Sequence, residues 1–401
     1  VGTGAGTGAG AGAVERVNAL GACWGRELGS GGGQVWTALG VWPLLAMLAA
    51  GANGPARAEL ERALGVPAEQ APAAARELLA QVRAVPGCAA ALGLWTADGV
   101  AVEPGWVAEL GAPLWGRLSG DPVKDRAVLD RWAREWTGGL VPRMPVDPAG
   151  ALLVLASAVA VRTRWLRPFQ EGRFQVLEGP WAGRDFAQLS VSGPELFERI
   201  AVAESPAGRV TEVRVAGTGE VDVHLVLGEP GAAPGAVVAA GFALAAGAAR
   251  RTPVSALPDG VQGPGLQLST VDSPVPQHLG ALNTAAFRVQ SEHDLLATAR
   301  LFGLGTAAQD GDHFRGVSRS TPLKVARAQQ AATAEFSAQG FEAGAVTAVV
   351  MAPGSAMFAP QQRYRIRVAA ARFDRPFAFL ALHRPTGLVL MAGWVAEPSR
   401  A

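Results

Sequence analysis

The chain carries almost no net charge. Its 401 residues hold Lys+Arg 35 against Asp+Glu 34, a formal charge of +1. A nucleic-acid binder shows a basic stripe, so none is expected as a partner. Cysteine is nearly absent: only Cys23 and Cys88 occur, in the apolar settings LGACWG and PGCAAAL. Their spacing fits no metal motif; buried free thiols are the expected state, with a disulfide between them left open. Long hydrophobic runs are also missing. The longest, LGVWPLLAMLAA from Leu39 to Ala50, is interrupted by Gly40 and Pro43 and falls short of a bilayer span. A buried helix is expected there, and no membrane partner. No basic start, apolar run and small-residue cleavage site appear at the N-terminus. That favours a cytoplasmic location, with secretion open because the sequence begins without Met. No 20–50-residue repeat is visible. The histidines His224, His278, His293, His313 and His383 are scattered, without the spacing of metal ligands. No metal or cofactor is expected. QDGDH (309–313) lacks the length and Glu of a calcium loop, and reads as a turn.

What is present is ample material for a core: 49% of the residues are hydrophobic. Ala and Gly are abundant and nearly all basic residues are Arg, which reads as coding bias of a GC-rich genome. Residues 1–13 form a low-complexity segment, of which residues 1–12, VGTGAGTGAGAG, are expected to be disordered. Its GxGxxG spacings follow no strand and make no phosphate cradle. Residues 14–401 read as one domain. Helical spacing runs from Ala13 to Trp24, twice between Trp42 and Leu64, over Ala75–Ala84 and through VKDRAVLDRWAREWTGG (123–139), where Gly138 and Gly139 are the stop. CAAALGLWTA (88–97) and ALLVLASAVAVRT (151–163) read as buried strands. Period-two alternation marks several strands from Glu198 to Leu227. Small residues at 237–249 suggest a helix. SEHDLLATARLFGL (291–304) reads as a helix with Ser291 as N-cap. Lys324–Phe336 reads as a long strand, and the tail after Arg372 as strand–turn–strand around Pro385-Thr386-Gly387. Helices first, then mixed strands, then a β-rich end favour an α+β domain.

These segments together resemble the serpins, in particular bacterial, actinobacterial members, from about residue 14 to residue 398. AMLAAGANGPARAELERALGV resembles the early helices of that family. RAVLDRWAREWTGGLV resembles the helix lying across its large central sheet, and LLVLASAVAVRTRWLRPF the strand that follows, with Trp165 at the family's tryptophan position. GDHFRGVS (311–318) resembles the turn before the loop-bearing strand. FDRPFAFLALHRPTGLVLMAGWVAEP resembles the C-terminal signature and is the most specific of these motifs. The resemblance implies about eight to nine helices, three β-sheets and an exposed reactive-centre loop at about 338–362. It implies a monomer whose partner is a serine protease, trapped as an acyl-enzyme while the cut loop inserts into the central sheet. It implies no enzymatic activity of the chain itself.

In that frame AQGFEAGAVTAV (338–349) is the hinge, where Gly340, Glu342 and Ala343 match the family pattern and Phe341, Gly344 and Ala345 complete it. Strand alternation puts Phe341, Ala343, Ala345, Thr347 and Val349 on one face. The family prefers a small hydroxyl residue at 341. An oversized side chain in a packed slot costs about 1–3 kcal/mol, and burying Phe returns about as much, so slowed insertion is an expectation left open. The reactive bond has two readings: Gly354–Ser355 by spacing from Gly340, or Met357–Phe358 by the downstream MFAP. Met357 is preferred, and Arg363 is a third candidate. The resemblance also implies a hydrogen-bonded cluster under the sheet opening, here Thr37, Ser157, Gln330 and Trp165, the first three in place of the family's Ser-Pro, Asn and His. Thr, Ser and Gln retain the capacity to bond one another. Two alternatives to inhibition stand beside it: a non-inhibitory binding protein on this fold, and a biosynthetic enzyme on the same scaffold.

Overall fold

A computed structural model describes residues 8–27, 31–109, 114–139, 141–144, 147–172, 176, 179–342 and 363–400. Its α-helices are α1 (Gly8–Glu27), α2 (Ala38–Gly51), α3 (Gly54–Leu64), α4 (Ala71–Ala84), α5 (Pro104–Glu109), α6 (Pro122–Thr137), α7 (Pro194–Phe197) and α8 (Pro234–Ala245). The strands of the first half are β1 (Gln34–Trp36), β2 (Cys88–Ala97), β3 (Leu114–Leu118), β4 (Leu153–Val161), β5 (Thr163–Arg164), β6 (Gln170–Gly172) and β7 (Gln188–Gly193). Then come β8 (Ile200–Ser205), β9 (Gly208–Val215), β10 (Val221–Gly228), β11 (Thr252–Pro253), β12 (Gly260–Gly263), β13 (Leu266–Ser273), β14 (Leu279–Ala285) and β15 (Phe287–Asp294). The last five are β16 (Gln329–Phe336), β17 (Gly340–Glu342), β18 (Tyr364–Arg372), β19 (Phe377–His383) and β20 (Leu388–Val395).

A seven-stranded sheet has the order β1-β20-β19-β10-β9-β8-β11, and a six-stranded sheet the order β12-β13-β18-β14-β7-β6. Two smaller sheets, β3-β2-β4 and β15-β16-β17-β5, complete the set. Among the described residues there are four sheets where three were expected, because the large central sheet is split between β4 and β16. Each strand of the split is held from its outer side: β4 by β2 through nine antiparallel pairs, β16 by β15 through eight.

Local rules explain the elements around the split. On α6, Asp121 accepts hydrogen bonds from the Val123 and Lys124 N–H groups, and Gly138 ends the helix at φ 59, as a carboxylate N-cap and a left-handed glycine C-cap should. Leu129, Trp132 and Ala133 turn toward the sheet, where Trp132 meets Trp95 edge-on with centroids 5.1 Å apart. Residues 154, 156 and 158 of β4 face this layer. The alternate residues of β4 face α2, which runs beneath the split and is buried along most of its length.

Three expectations fail. The low-complexity N-terminus enters a helix from Gly8 onward, so disorder does not extend through residue 12. The segment led by Ser291 is a strand at its start, not a helix. Phe287 and Val289 alternate inward against Phe336 and Ala334, a tertiary pairing that outweighs helical propensity. Ser291 Oγ accepts the Val35 N–H at 2.9 Å in place of capping a helix. The strand expected from Lys324 begins only at Gln329. Both cysteines are free and half-buried, and burial pushes the Cys88 thiol up to about 12.

Candidate functional site

β4 and β16 run side by side along a cavity of about 760 Å³. Among the described residues no ladder bond joins the two rims. Nine residues of β4 span roughly 30 Å at the usual rise of a strand, so the cavity is a slot as long as a strand. Its floor is Gly40, Val41, Leu44 and Leu48 of α2, and Ala133 and Met144 line its outer side. The rims are small or aliphatic: Leu153 to Val161 on one side, Ala331, Ala332 and Thr333 on the other. An unpaired strand rim presents free backbone N–H and C=O groups, the template for one more strand.

The head of the slot is filled. After β16 the chain turns at 337–339 and returns as β17, between β16 and β5. Phe341 pairs with Phe336 on one side and Thr163 on the other; Gly340 pairs with Arg164 and Glu342 with Glu335. The turn is pinned to the segment after β4. The Trp165 N–H donates to the Gln339 carbonyl at 3.0 Å, the Phe169 N–H to the Ala338 carbonyl at 2.8 Å, and the Trp165 indole N–H to the Ser337 carbonyl at 2.8 Å. Position 340 admits only glycine, since a Cβ there would lie 2.4 Å from the Thr163 carbonyl oxygen. Phe341 is buried, 1% exposed, with its ring 5.9 Å from Phe379. Phe287 links Phe379 to Phe336, which in turn meets Trp165 and Phe169. The oversized side chain is thus seated in an aromatic core.

Further along the slot lies a polar cluster. The Thr37 N–H donates to Gln330 Oε1 and Gln330 Nε2 donates to the Thr37 carbonyl, each at 2.9 Å; Thr37 Oγ1 donates to the Leu390 carbonyl at 2.7 Å. Ser157 lies across the slot and donates to the Gly40 carbonyl on α2. The three side chains therefore converge on the first turn of α2, with Ser157 bonded to the helix rather than to Thr37 or Gln330. Trp165 is not a member. It stands eight residues beyond Ser157, at the slot's head.

The foot is crossed by an ion pair. Arg327 Nη1 reaches the Asp147 carboxylate at 3.0 Å and its carbonyl at 2.6 Å, and Arg126 stands 3.7 Å from the other carboxylate oxygen. The Ala149 N–H, and then Arg327 and Arg126, hold the Asp147 carboxyl below its usual range. No sequence spacing announces this pair, because its members are 180 residues apart.

Of the remaining positions, Ala343, Gly344, Ala345, Gly354, Ser355, Met357 and Phe358 lie outside the described residues. Arg363 is exposed just before β18. Among the described residues no group of His, Cys, Asp and Glu has the arrangement of a metal site. The histidines are dispersed: His224 Nδ1 meets the buried Glu212 carboxylate at 2.8 Å, and His383 lies between Thr386 and Glu220.

Residues 272–398 match the family model "Serpin (serine protease inhibitor)". A putative serpin-Z6C of Oryza sativa subsp. japonica is 26% identical over 95% of this chain and 94% of its own length. A putative serpin-Z12 of the same plant is 27% identical over 93% and 88%. Among solved structures, a cleaved serpin 42Da aligns with a TM-score of 0.69 and 17% identity over 98% of both chains. A thyroxine-binding globulin complex with thyroxine aligns with a TM-score of 0.70 and 15% identity over 97% and 99%.

Proposed function

We propose that this chain, which belongs to the serpin family and has its fold, is a suicide inhibitor of a serine protease. The observation that carries the reading is the slot: two strand rims that no ladder bond joins along its length, with Gly340–Glu342 of the loop segment paired at its head. In this mechanism a protease takes the segment after Glu342 as substrate. Its nucleophile forms an acyl-enzyme with the carboxyl side of the cut bond. The new chain end is then free to zip into the slot, adding ladder bonds to both rims while water has yet to release the acyl group. The intact form is a kinetic trap, stable only while the loop is uncut.

Met357–Phe358 is the preferred reactive bond and Gly354–Ser355 the second. Met in the first subsite suits elastase-, chymotrypsin- or subtilisin-like pockets. The test is incubation with elastase, chymotrypsin, subtilisin and trypsin, followed by SDS gels and mass spectrometry of the released C-terminal fragment. The expected result is an SDS-resistant adduct with one of the first three and a fragment beginning at Phe358. Clean cutting by all four without adduct would overturn inhibition and leave the non-inhibitory binding role.

A further inference from the structure

We infer that Asn53-Gly54 is a guarded site of self-modification: the pair loses ammonia to give aspartate or isoaspartate, and the turn at 312–315 holds that reaction back. This chemistry goes beyond inhibition and belongs to the joint between α2 and α3.

The joint itself calls for these two residues. Gly54 opens α3 at φ 56, in the left-handed region that glycine enters without the penalty of a side chain. Asn53 stands at the N-cap of α3, yet its side chain makes no cap bond there. Its Nδ2 instead donates to the Asp312 carbonyl and its Oδ1 accepts the Arg315 N–H, each at 3.0 Å. Its backbone N–H donates to the His313 carbonyl, also at 3.0 Å. Asn is the shortest side chain with a separate donor and acceptor, so one residue ties three positions of the turn to the end of α2. A Cβ built on Gly54 would meet nothing within 4 Å. The nitrogen that follows Asn53 is therefore unshielded by any side chain.

In the reaction the Gly54 nitrogen attacks the Asn53 side-chain carbonyl carbon. The new C–N bond closes a five-membered succinimide. The bond to Nδ2 breaks, and Nδ2 leaves as ammonia with the proton given up by Gly54. Water then opens the ring at either carbonyl. Closure needs the Gly54 nitrogen to eclipse the Asn53 Cβ, whereas at ψ 162 the backbone of Asn53 is extended. Turning that ψ swings the whole of α3, whose Ala56, Leu60 and Leu64 are buried. The attacked amide must also leave both of its hydrogen bonds to the turn. Conversion removes the donor to the Asp312 carbonyl and sets a carboxylate in its place; isoaspartate lengthens the main chain as well. Phe314 and Val317 of the same segment line the slot, and the Gly316 N–H donates to the Gly51 carbonyl at 3.0 Å. A change at Asn53 thus loosens the floor of the slot.

Peptide mapping by mass spectrometry follows Asn53 in the folded protein and in the protein unfolded in guanidinium chloride, at one mildly alkaline pH. Hydrogen exchange at the Arg315 amide reports the turn. A Cβ on Gly316 would lie 3.0 Å from the Gly51 Cα and carbonyl oxygen, so Gly316→Ala should lift the turn from α2. The folded parent should convert about tenfold more slowly than the unfolded chain, or slower still, a factor equivalent to about 1.4 kcal/mol of local opening. Gly316→Ala should exchange its Arg315 amide faster and recover most of the unfolded rate. If that variant fails to fold, the parent in denaturant below its transition takes its place, with the same two readouts. Equal conversion rates in the folded and unfolded parent overturn the guard. Faster exchange at Arg315 without faster conversion overturns the part assigned to the turn. An unfolded chain that keeps Asn53 intact overturns the site.

Discussion

The closed seven-stranded sheet and the split central sheet are built from similar residues and behave as opposites. In the first, β10, β19 and β20 are paired on both edges and almost wholly buried. Its fit is tight: a Cβ on Gly393 would strike the Phe379 ring at 2.3 Å. In the second, β4 is paired on one edge only and β16 has a second partner only at Glu335 and Phe336, and their facing rims are mostly Ala, Val, Leu, Ser and Thr. Core packing at native density leaves little room for rearrangement. A rim of small side chains beside a strand-long slot leaves room for one specific rearrangement. Under the proposed function, the molecule would keep its rigidity and its latent free energy in different sheets.

The largest effect that can break this comparison is a cut in the loop. About nine new rungs, at about 1 kcal/mol for each net backbone bond, amount to on the order of 10 kcal/mol. At roughly 2 °C for each kcal/mol, the nicked protein should melt roughly 20 °C above the intact one. Calorimetry before and after nicking measures this, and equal melting temperatures would make the two sheets alike. Next in size is Phe379→Ala, which removes a buried ring from the closed sheet. It should cost about 3–5 kcal/mol in both forms, read by denaturant unfolding. A much smaller cost in the nicked form would mean that insertion repacks the closed sheet as well.

The closed sheet was largely legible in the sequence. FAFLALH and LVLMAGWV are continuous apolar runs on either side of a Pro-Thr-Gly turn, the pattern of strands covered on both faces. Helix α6 was legible from its amphipathic spacing and its two glycines. The split was not. β4 and β16 read as ordinary strands, and nothing in their local pattern says whether they touch. That depends on the turn at 337–339 and the glycine contact at 340, settled by residues more than 150 positions away, and on the seat of Phe341 beside Phe379. For Phe341 the packing cost and the burial gain could not be ranked from the sequence, because the space beside Phe379 is invisible without the fold. β18 was passed over because YRIRVAAAR mixes arginines with alanines; it becomes a strand through its partners β13 and β14.

Acid separates the two sheets by charge. Burial alone would raise the Glu212 carboxyl in the closed sheet, but the His224 hydrogen bond and Arg251 outweigh it and bring the group down to about 2. A carboxyl lowered by folding contributes stability that is whole above its ordinary value of 4.5 and is lost as pH falls toward 2. The shift corresponds to about 3 kcal/mol. Glu212→Gln should therefore flatten the decline in stability between those pH values, as followed by urea unfolding. The slot has no buried carboxylate on its rims, so mutations there should leave that slope unchanged.

The smallest effect concerns the polar level of the slot. Gln330→Ala removes both bonds to Thr37. The Thr37 carbonyl keeps the Gly40 N–H at 3.2 Å, but the Thr37 N–H is left buried without its acceptor. That should cost about 1–3 kcal/mol in the intact protein, measured by denaturant midpoint at constant slope. Ser157→Ala removes a donor from a carbonyl on α2 and leaves no orphaned N–H, so its cost should be nearer 1 kcal/mol.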